Sequence, residues 1–247
     1  MTRGCALVTG AARRIGQALA IEAARAGYDV VVHHRGAASE AADTVTQIQA
    51  LGRKAFVVQG DLTDDVERGA LLSAADGPLT LLVNCASLFQ DDRIETLTGE
   101  SLDAHLDTNL RAPVLLAQAF AAQLPADAEG LIVNIVDQRV WRPNPQFFSY
   151  SLSKAGLWWA TQTLAQALAP RIRVNAIGPG PTLASIHQRN GEFEHEAANV
   201  PLGKAASPDE IAGALRYLID ARSVTGQMIA VDGGQHLSWR TPDILGA

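Results

Sequence analysis

The sequence predicts a single α/β domain built on a doubly wound parallel sheet, and three observations indicate it. Short apolar runs rich in β-branched residues alternate with longer, alanine-rich amphipathic stretches. The short runs are almost continuously apolar, as is typical of strands that are covered on both faces. Strict alternation of the two element types favours right-handed crossovers between parallel strands. With 247 residues and no repeat or linker-like segment, residues 1–247 are expected to form one Rossmann-like domain.

These patterns predict seven strands, six helices and one long loop. Strands are expected at 6–9, 29–33, 55–59, 79–84, 131–136, 173–177 and 227–231. Helices are expected at 15–26, 39–50, 64–75, 102–123, 150–169 and 208–218. Residues 181–207 are polar and glycine-containing, and a loop of that length in a compact domain is typical of a lid over a ligand.

Composition excludes several classes of protein. The chain is 47% hydrophobic with a net charge of −6, and its longest basic run is Arg13-Arg14, so a nucleic-acid partner is not expected. No apolar stretch reaches the ~20 residues of a membrane span, and no signal peptide is visible. Cys5 and Cys85 have no metal-ligand spacing, so reduced thiols, no metal site and a cytoplasmic location are expected.

The first predicted strand runs directly into a small-residue turn. Gly10 and Gly16 bracket this turn, and a predicted helix follows at once. Such a turn lets backbone N–H groups and the positive end of a helix approach a pyrophosphate. It therefore indicates dinucleotide binding, although an ordinary β–α turn remains the alternative.

The end of the second predicted strand indicates which dinucleotide is used. No carboxylate occurs between Asp29 and Glu40, whereas folds that prefer NAD usually place one there for the ribose. Arg35, with His34 and Arg13 as companions, instead favours the 2′-phosphate of NADPH. A solvated polar strand end is the alternative.

After the third predicted strand, Asp61 and Leu62 are placed to meet the adenine. Asp61 could equally cap the next helix.

Tyr150 and Lys154 lie four residues apart at the start of a predicted helix, so both project from one helix face. A cation beside a phenol should lower the phenol pKa from about 10. The pair is therefore a candidate for general acid–base chemistry. The alternative is a tyrosine packed against the aliphatic part of a surface lysine.

These motifs together resemble the short-chain dehydrogenase/reductase family, over essentially the whole chain. Further matches are Asn109, the pair Pro179-Gly180 and the stretches 84–87 and 231–234. The resemblance implies a seven-stranded Rossmann fold, NAD(P)H and a homotetramer. It assigns cofactor binding to Gly10, Arg13, Arg14, Ile15, Gly16, His34, Arg35, Asp61, Leu62, Asn84, Ala86, Ser87, Tyr150, Lys154, Pro179 and Gly180.

Three departures from the general family pattern resemble the pteridine reductase branch, which includes bacterial dihydromonapterin reductases. Arg14 stands where most members have glycine, and Phe89 follows Asn84-Cys85-Ala86-Ser87. Asp137 occupies the position of the usual catalytic serine, ahead of Tyr150. The branch implies catalytic roles for Asp137, Tyr150, Lys154 and Asn109, and substrate contacts from Arg14, Ser87, Phe89, Asp137, Tyr150 and Leu183.

The chemistry of a pterin agrees with these departures. Its reduction needs a hydride on carbon and a proton on nitrogen, and Asp137 could relay that proton with Tyr150 if burial raises the carboxyl pKa. Phe89 could stack on the flat ring, and Arg14 could contact both a cofactor phosphate and the substrate.

Three alternatives stay open for these residues. Asp137 could be a plain loop residue while Ser149 or Ser151 acts as the serine. Phe89 could be a core residue. Asn109 could bind a backbone carbonyl through water, which in the family supports a proton path to Lys154.

Several other residues are candidates for the pocket or for subunit contacts. Trp141, Phe147 and Phe148 should wall the pocket or pack beneath it, whereas His187 and His195 are expected to be solvated more often than ligating. Trp158 and Trp159 are expected at a subunit contact or in the core, and Arg240 could reach a neighbouring active site.

The resulting hypothesis is an NADPH-dependent reductase of a dihydropterin. One rival is a carbonyl reductase of a keto sugar or a 3-oxoacyl thioester, which the negative charge of Asp137 would disfavour by repelling an alkoxide. The other rival is a weakly active protein that senses NADPH.

Overall fold

The computed structural model describes residues 3–184 and 190–239. Within these ranges, seven strands form one sheet in the order β3-β2-β1-β4-β5-β6-β7, and every neighbouring pair is parallel. The predicted fold class is therefore confirmed. The strands are β1 (Cys5–Val8), β2 (Asp29–His34), β3 (Ala55–Gln59), β4 (Leu79–Asn84), β5 (Gly130–Ile135), β6 (Ile172–Pro179) and β7 (Met228–Val231).

Helices cover both faces of the sheet. Leu19 and Leu215 lie with the apolar residues of one sheet face, whereas Leu116 and Phe120 lie with those of the other. All four of these helix side chains are fully buried. The sheet is therefore covered on both faces, which explains why the strands are apolar without alternation. The helices are α1 (Arg14–Arg25), α2 (Ala38–Ala50), α3 (Asp65–Ala70), α4 (Gly99–Leu106), α5 (Ala112–Gln123), α6 (Phe148–Leu168), α7 (Glu192–Ala198) and α8 (Pro208–Asp220).

The strand order reverses between β1 and β4. Val8 is paired with Val32 of β2 on one side and with Val83 of β4 on the other. In sheets of this kind, ligands bind outside the carboxyl ends of the strands at such a switch point. The topology therefore places the turn after β1 and the loops after β4 and β5 at one edge.

The helix predicted over 102–123 is interrupted. It begins earlier, as α4, and a turn of π-helix, Asp107–Arg111, separates α4 from α5. Pro113 has no N–H to donate to the carbonyl one turn before it, at Asn109. A π turn widens the helix just where that hydrogen bond is missing.

The helix predicted over 64–75 is shorter in the structure. It is α3, followed by a turn of 3₁₀-helix, Leu71–Ser73. Its N-cap is Asp64, whose carboxylate accepts the N–H groups of Val66 and Glu67. The alternative that Asp61 caps this helix is therefore wrong.

The predicted lid, 181–207, contains a helix that the sequence pattern did not predict. This helix, α7, has no buried residue, so it shows no apolar stripe that a pattern could detect. Two candidates, His187 and Arg240, lie outside the described residues. Among the described helices, none is long and apolar enough to cross a bilayer.

Candidate active site

The turn after β1 has the close backbone packing that a phosphate-binding turn needs. Gly10 has a φ of +66°, and a Cβ on it would lie 2.9 Å from the Cα of Ala86. A Cβ on Gly16 would collide with the carbonyl oxygen of Gly10. Only glycine fits at either position, which leaves the turn and the N-terminus of α1 open to a pyrophosphate. Ile15 lies half-buried in the first turn of α1.

His33 holds this turn in place, a role that the sequence analysis missed. Its Nδ1 accepts the N–H of Gly10 at 3.1 Å, and its Nε2 lies 3.0 Å from the carbonyl oxygen of Gly60. This pattern requires the neutral tautomer with the proton on Nε2. Burial lowers the pKa of His33, chiefly by disfavouring the charged ring.

The polar residues at the end of β2 are only partly exposed to solvent. His34 is buried, and its Nδ1 has no hydrogen-bond partner in the described part of the chain. Arg35 is largely exposed, with an Nη1 only 3.9 Å from Asp61. Arg13 is also exposed and lies 3.8 Å from Glu40. Exposed pairs at such distances are weak, so both guanidinium groups could bind a phosphate instead.

Asp61 and Leu62 follow β3 in two different environments. Asp61 accepts hydrogen bonds from the N–H and hydroxyl of Thr63, and these lower the pKa of Asp61. Leu62 is buried in the core.

Arg14 contacts the beginning of the predicted lid. Its backbone is in the left-handed region at a φ of +57°, consistent with the glycine that most family members have there. Its guanidinium donates to the carbonyl oxygens of Leu183 and Ala184 at 3.1 and 3.0 Å. These contacts bring together Arg14 and Leu183, both of which are candidate substrate contacts.

Asp137 and Tyr150 form the centre of the site. The hydroxyl of Tyr150 donates to Oδ2 of Asp137 at 2.8 Å, while Oδ1 accepts the N–H of Arg139 at 2.8 Å. Ser149 donates its backbone N–H to Asp92, and the hydroxyl of Ser151 donates to a carbonyl of the preceding loop. Neither serine is hydrogen-bonded to the tyrosine hydroxyl, so the geometry favours Asp137 over both.

Burial and mutual interaction set the proton affinities of the pair. Burial raises the pKa of Asp137, although the charge of Arg139 opposes this. Burial and the neighbouring carboxylate raise the pKa of Tyr150 well above its ordinary value. Both pKa values shift toward the protonated form, which for Asp137 is the direction that a proton donor requires.

The pKa of Tyr150 is raised in this structure, chiefly by burial and then by Asp137, so the expectation that Lys154 lowers it overall is wrong. The Nζ of Lys154 lies 5.7 Å from the centroid of the phenol ring and donates to the carbonyl oxygen of Ile135 at 2.7 Å. Burial lowers the pKa of Lys154 to about 8. Both residues lie in α6 as predicted, but burial is the largest effect on the pKa of each.

Asn109 lies in the π turn and contacts the loop after β4 directly. Its Nδ2 donates to the carbonyl oxygen of Leu88 at 2.9 Å and to Ser153 Oγ at 3.0 Å. Its Oδ1 accepts the N–H of Leu88 and the hydroxyl of Ser87. These contacts tie the loop to α6, the helix that carries Tyr150 and Lys154.

Asn84 and Ala86 flank Cys85 at the end of β4. The Asn84 side chain is buried and its Nδ2 donates to Asn134 on β5, whereas its Oδ1 has no hydrogen-bond partner in the described part of the chain. The N–H of Ala86 donates to the hydroxyl of Thr9 at 3.0 Å. This contact joins the loop to the glycine turn after β1.

Phe89 lies beside Tyr150, half-buried rather than in the core. Its ring stacks on Phe147 with centroids 4.2 Å apart and meets the Tyr150 ring edge-on at 4.7 Å. Phe147 has a φ of +52°, an uncommon conformation for a bulky residue that often marks a functional site.

Asp92 and His105 position this loop, and neither belongs to a motif that would have identified it from the sequence. Asp92 is buried and accepts the N–H of Ser149 at 3.0 Å and the hydroxyl of Ser101 at 2.8 Å. His105 is also buried and accepts the N–H of Gln90 at 3.2 Å. Ser101, His105 and Asn109 recur every four residues, so one helical face holds the loop.

Pro179 and Gly180 close the site at the end of β6. The N–H of Gly180 donates to the carbonyl oxygen of Val231, and a Cβ on Gly180 would lie 2.6 Å from the Cβ of Asp232.

The tryptophan candidates have other neighbours. Trp141 contacts Trp158 and His236, and Trp159 is 70% exposed. In α7, His195 is contacted by Asn199.

The chain is similar to proteins of one family along nearly its whole length. A family model described as enoyl-(acyl carrier protein) reductase matches residues 10–236. The 3-oxoacyl-(acyl-carrier-protein) reductase FabG of Staphylococcus aureus strain Mu50 is 31% identical over 240 residues, covering 94% of this chain and 98% of that protein.

Two solved structures are more similar. The alternative dihydrofolate reductase FolM of Brucella suis, in complex with NADP, is 52% identical with a TM-score of 0.94, covering 99% of this chain and 100% of that one. The protein of the same name from Brucella canis, also with NADP, is 51% identical with the same TM-score and coverage. The sequence motifs, the parallel sheet and these similarities agree: the chain belongs to the short-chain dehydrogenase/reductase family.

Proposed function

We propose that this protein is an NADPH-dependent reductase of a dihydropterin-type substrate. The observation that carries the proposal is the hydrogen bond between Tyr150 and Asp137, at the position where most family members have serine. The two Brucella proteins with about half of their residues in common with this chain are named alternative dihydrofolate reductases. Dihydrofolate contains a dihydropterin ring, so the names agree with the chemistry that the site suggests.

The residues around the glycine turn fit NADPH. Gly10 and Gly16 allow a close backbone packing that any Cβ would break, as a turn that binds a pyrophosphate needs, and Arg35 and Arg13 could bind the 2′-phosphate. The NADP in both Brucella complexes supports this choice. Lys154 and Tyr150 would hold the ribose next to the nicotinamide.

When bound, NADPH would supply the hydride that goes to the ring carbon of a C=N bond. The protein supplies the proton that goes to the nitrogen, so the C=N bond becomes CH–NH. Tyr150 donates that proton directly or through water, and Asp137, whose pKa is raised by burial, restores it to the phenol. Solvent then reprotonates Asp137, which completes the balance of one hydride and one proton.

A carbonyl reductase is the alternative that the similarity to FabG supports. A ketone becomes an alkoxide as it accepts a hydride, and a serine hydroxyl stabilises that oxygen by donating a hydrogen bond. An ionised Asp137 would repel it. The identity to FabG is also lower than that to the FolM proteins, so we favour the pterin. A protein that only senses NADPH would bind it tightly without oxidising it in the presence of any pterin or carbonyl compound.

We also propose a homotetramer in the cytoplasm, with residues 181–207 as the lid. Leu152 and Trp159 on α6 are 47% and 70% exposed, and such apolar surface is typical of subunit contacts.

The test measures NADPH oxidation by absorbance with dihydrobiopterin, dihydromonapterin and dihydrofolate as substrates. Wild type is compared with Asp137→Ser, with a ketone and 3-oxoacyl thioester panel in parallel. Turnover of a pterin that is strongly reduced in the variant would support the proposal. Turnover of carbonyl compounds alone would establish the alternative.

A further inference from the structure

The guanidinium of Arg139 lies in the candidate site, although no sequence motif identified Arg139 as a site residue. It lies in the 3₁₀ turn Gln138–Val140 after β5, and its backbone N–H donates to Asp137. Its guanidinium carbon lies 5.2 Å from the ring centroid of Phe147 and 6.0 Å from that of Phe89. The guanidinium is therefore held beside the two stacked rings by cation–π attraction.

One donor of this guanidinium is buried and unused. Nη1 of Arg139 has no hydrogen-bond partner, and Arg139 forms no ion pair, within residues 3–184 and 190–239. A buried donor without an acceptor is unfavourable, and more so when it is charged. The carboxylate of Asp137, whose pKa the charge of Arg139 lowers, already accepts from Tyr150 and from the backbone of Arg139. The missing acceptor is therefore expected to come from a bound molecule.

The surroundings indicate the shape of that molecule. Phe89 and Phe147 are nearly parallel, with 10° between their planes, and Phe89 also contacts Tyr150. A flat heterocycle fits against aromatic rings of this kind by offset stacking. Its edge could then carry the acceptor for Arg139 while its reacting atoms face Tyr150.

The charge of Arg139 also acts on the reacting groups. It lowers the pKa of Asp137 and of Tyr150, against the larger raising effect of burial on both. A charge that influences both groups lies near them. The acceptor that it binds should therefore belong to the ring being reduced and not to a remote tail of the substrate.

We propose that Arg139 is a substrate-binding residue whose Nη1 donates a hydrogen bond to an oxygen or an unprotonated nitrogen on the edge of the reduced heterocycle. This inference rests on the proposed function and names the residue that would select its substrate.

The experiment compares wild type with Arg139→Gln and Arg139→Lys, and uses Arg142→Gln as a matched control. Arg142 is an exposed arginine on the same loop. For Arg139→Gln, the KM for dihydrobiopterin and for dihydrofolate should rise by a similar factor of about ten or more, corresponding to about 1.4 kcal/mol. The kcat should change less, Arg139→Lys should recover part of the loss, and Arg142→Gln should resemble wild type. Thermal unfolding and NADPH affinity verify folding.

Three kinetic results would overturn the inference. A loss confined to dihydrofolate would place Arg139 on the glutamate tail. An unchanged KM with a shifted pH profile of kcat would show that it only tunes Asp137 and Tyr150. Equal behaviour of the Arg139 and Arg142 variants would remove it from the site.

Calorimetry of pterin binding to the enzyme–NADP⁺ complex separates this inference from the proposed function. If wild type turns over no pterin, the proposed function fails. The arginine inference then stands if Arg139→Gln weakens pterin binding, and it fails if wild type and the variant bind equally or neither binds.

Discussion

The hydroxyl of Tyr150 donates a hydrogen bond of 2.8 Å to the carboxylate of Asp137; Tyr150 is buried and Asp137 is half-buried. The opposite oxygen of Asp137 is held by the N–H of Arg139, so the carboxylate cannot rotate freely. This arrangement gives the phenol a partner that can exchange a proton with it. A serine at the same position could not hold a proton reserve of this kind.

Replacement of Asp137 by asparagine should therefore abolish most of the chemistry while keeping the shape. The amide oxygen can still accept from Tyr150, but it cannot carry the proton. Since general acid–base catalysis contributes at least about 100-fold, kcat for the pterin should fall by about that factor. Single-turnover absorbance measurements would determine the rate, and an unchanged affinity for NADPH would serve as the control. A rate within about twofold of wild type would show that Asp137 does not carry the proton.

Lys154 should make cofactor binding depend on pH. Burial lowers its pKa to about 8, so the free protein loses this charge as the pH rises through about 8 and not near the ordinary value of about 10.4. If the charge assists NADPH, the Kd should increase above that pH, with a slope of up to one logarithmic unit per pH unit. Fluorescence titration of NADPH at a series of pH values measures this effect. In Lys154→Met the increase should be absent, and a wild-type Kd that stays constant to about pH 9.5 would contradict the prediction.

The sheet could be predicted from the sequence because each strand is encoded by its own apolar run. The same is true of the glycine turn and of the Tyr150 and Lys154 pair, which depend on spacing within a few residues. The predicted direction of the Tyr150 pKa shift was wrong, because spacing locates the lysine but does not reveal how completely the phenol is buried. The direct contacts of Asn109 were also missed, because they involve a loop about twenty residues earlier in the chain.

Asp92 and His33, which position other parts of the site, could not be predicted either, because their contacts join residues that are far apart in the sequence. Asp92 contacts Ser149 across a sequence separation of 57 residues, and His33 contacts Gly10 from the neighbouring strand. Neither residue belongs to a local motif, and each acquires its role only when the strands are assembled. In α4, the recurrence of Ser101 and His105 at a four-residue interval was visible, but nothing in the sequence showed what that face would contact.

Arg35 should determine the preference for NADPH over NADH. Its guanidinium is exposed and only weakly paired with Asp61, so it is available for a phosphate. A hydrogen bond to a charged group contributes about 1.5–3 kcal/mol, and Arg35→Ala should raise the KM for NADPH by roughly 10- to 100-fold. The KM for NADH should change little. Steady-state kinetics with both cofactors measures this, with Arg222→Ala, an exposed arginine paired with Glu129, as the control. An equal loss for both cofactors would rule out a contact with the 2′-phosphate.

Asp92 should stabilise the beginning of α6. Its carboxylate and its carbonyl oxygen accept the N–H groups of Ser149 and Phe148, which are donors that the helix itself cannot satisfy. Asp92→Ala leaves one of them unpaired in a buried environment and should lower the free energy of unfolding by about 2 kcal/mol. Asp92→Asn keeps an acceptor and should lose less. Urea denaturation gives both values, and equal stability of Asp92→Ala and wild type would contradict the assignment.

His33 should make the fold less stable in mild acid. Burial lowers its pKa, so the neutral ring is the form that fits between Gly10 and Gly60. The stabilising contribution is therefore fully present above the ordinary histidine pKa of about 6.5 and is lost as the pH falls below it. Protonation would also place a second proton opposite the N–H of Gly10 and disturb the phosphate-binding turn. Thermal unfolding between about pH 7.5 and about pH 5 should show a steeper loss of stability in wild type than in His33→Asn, which cannot gain a charge. Parallel stability profiles of the two proteins would show that folding does not lower the pKa of His33.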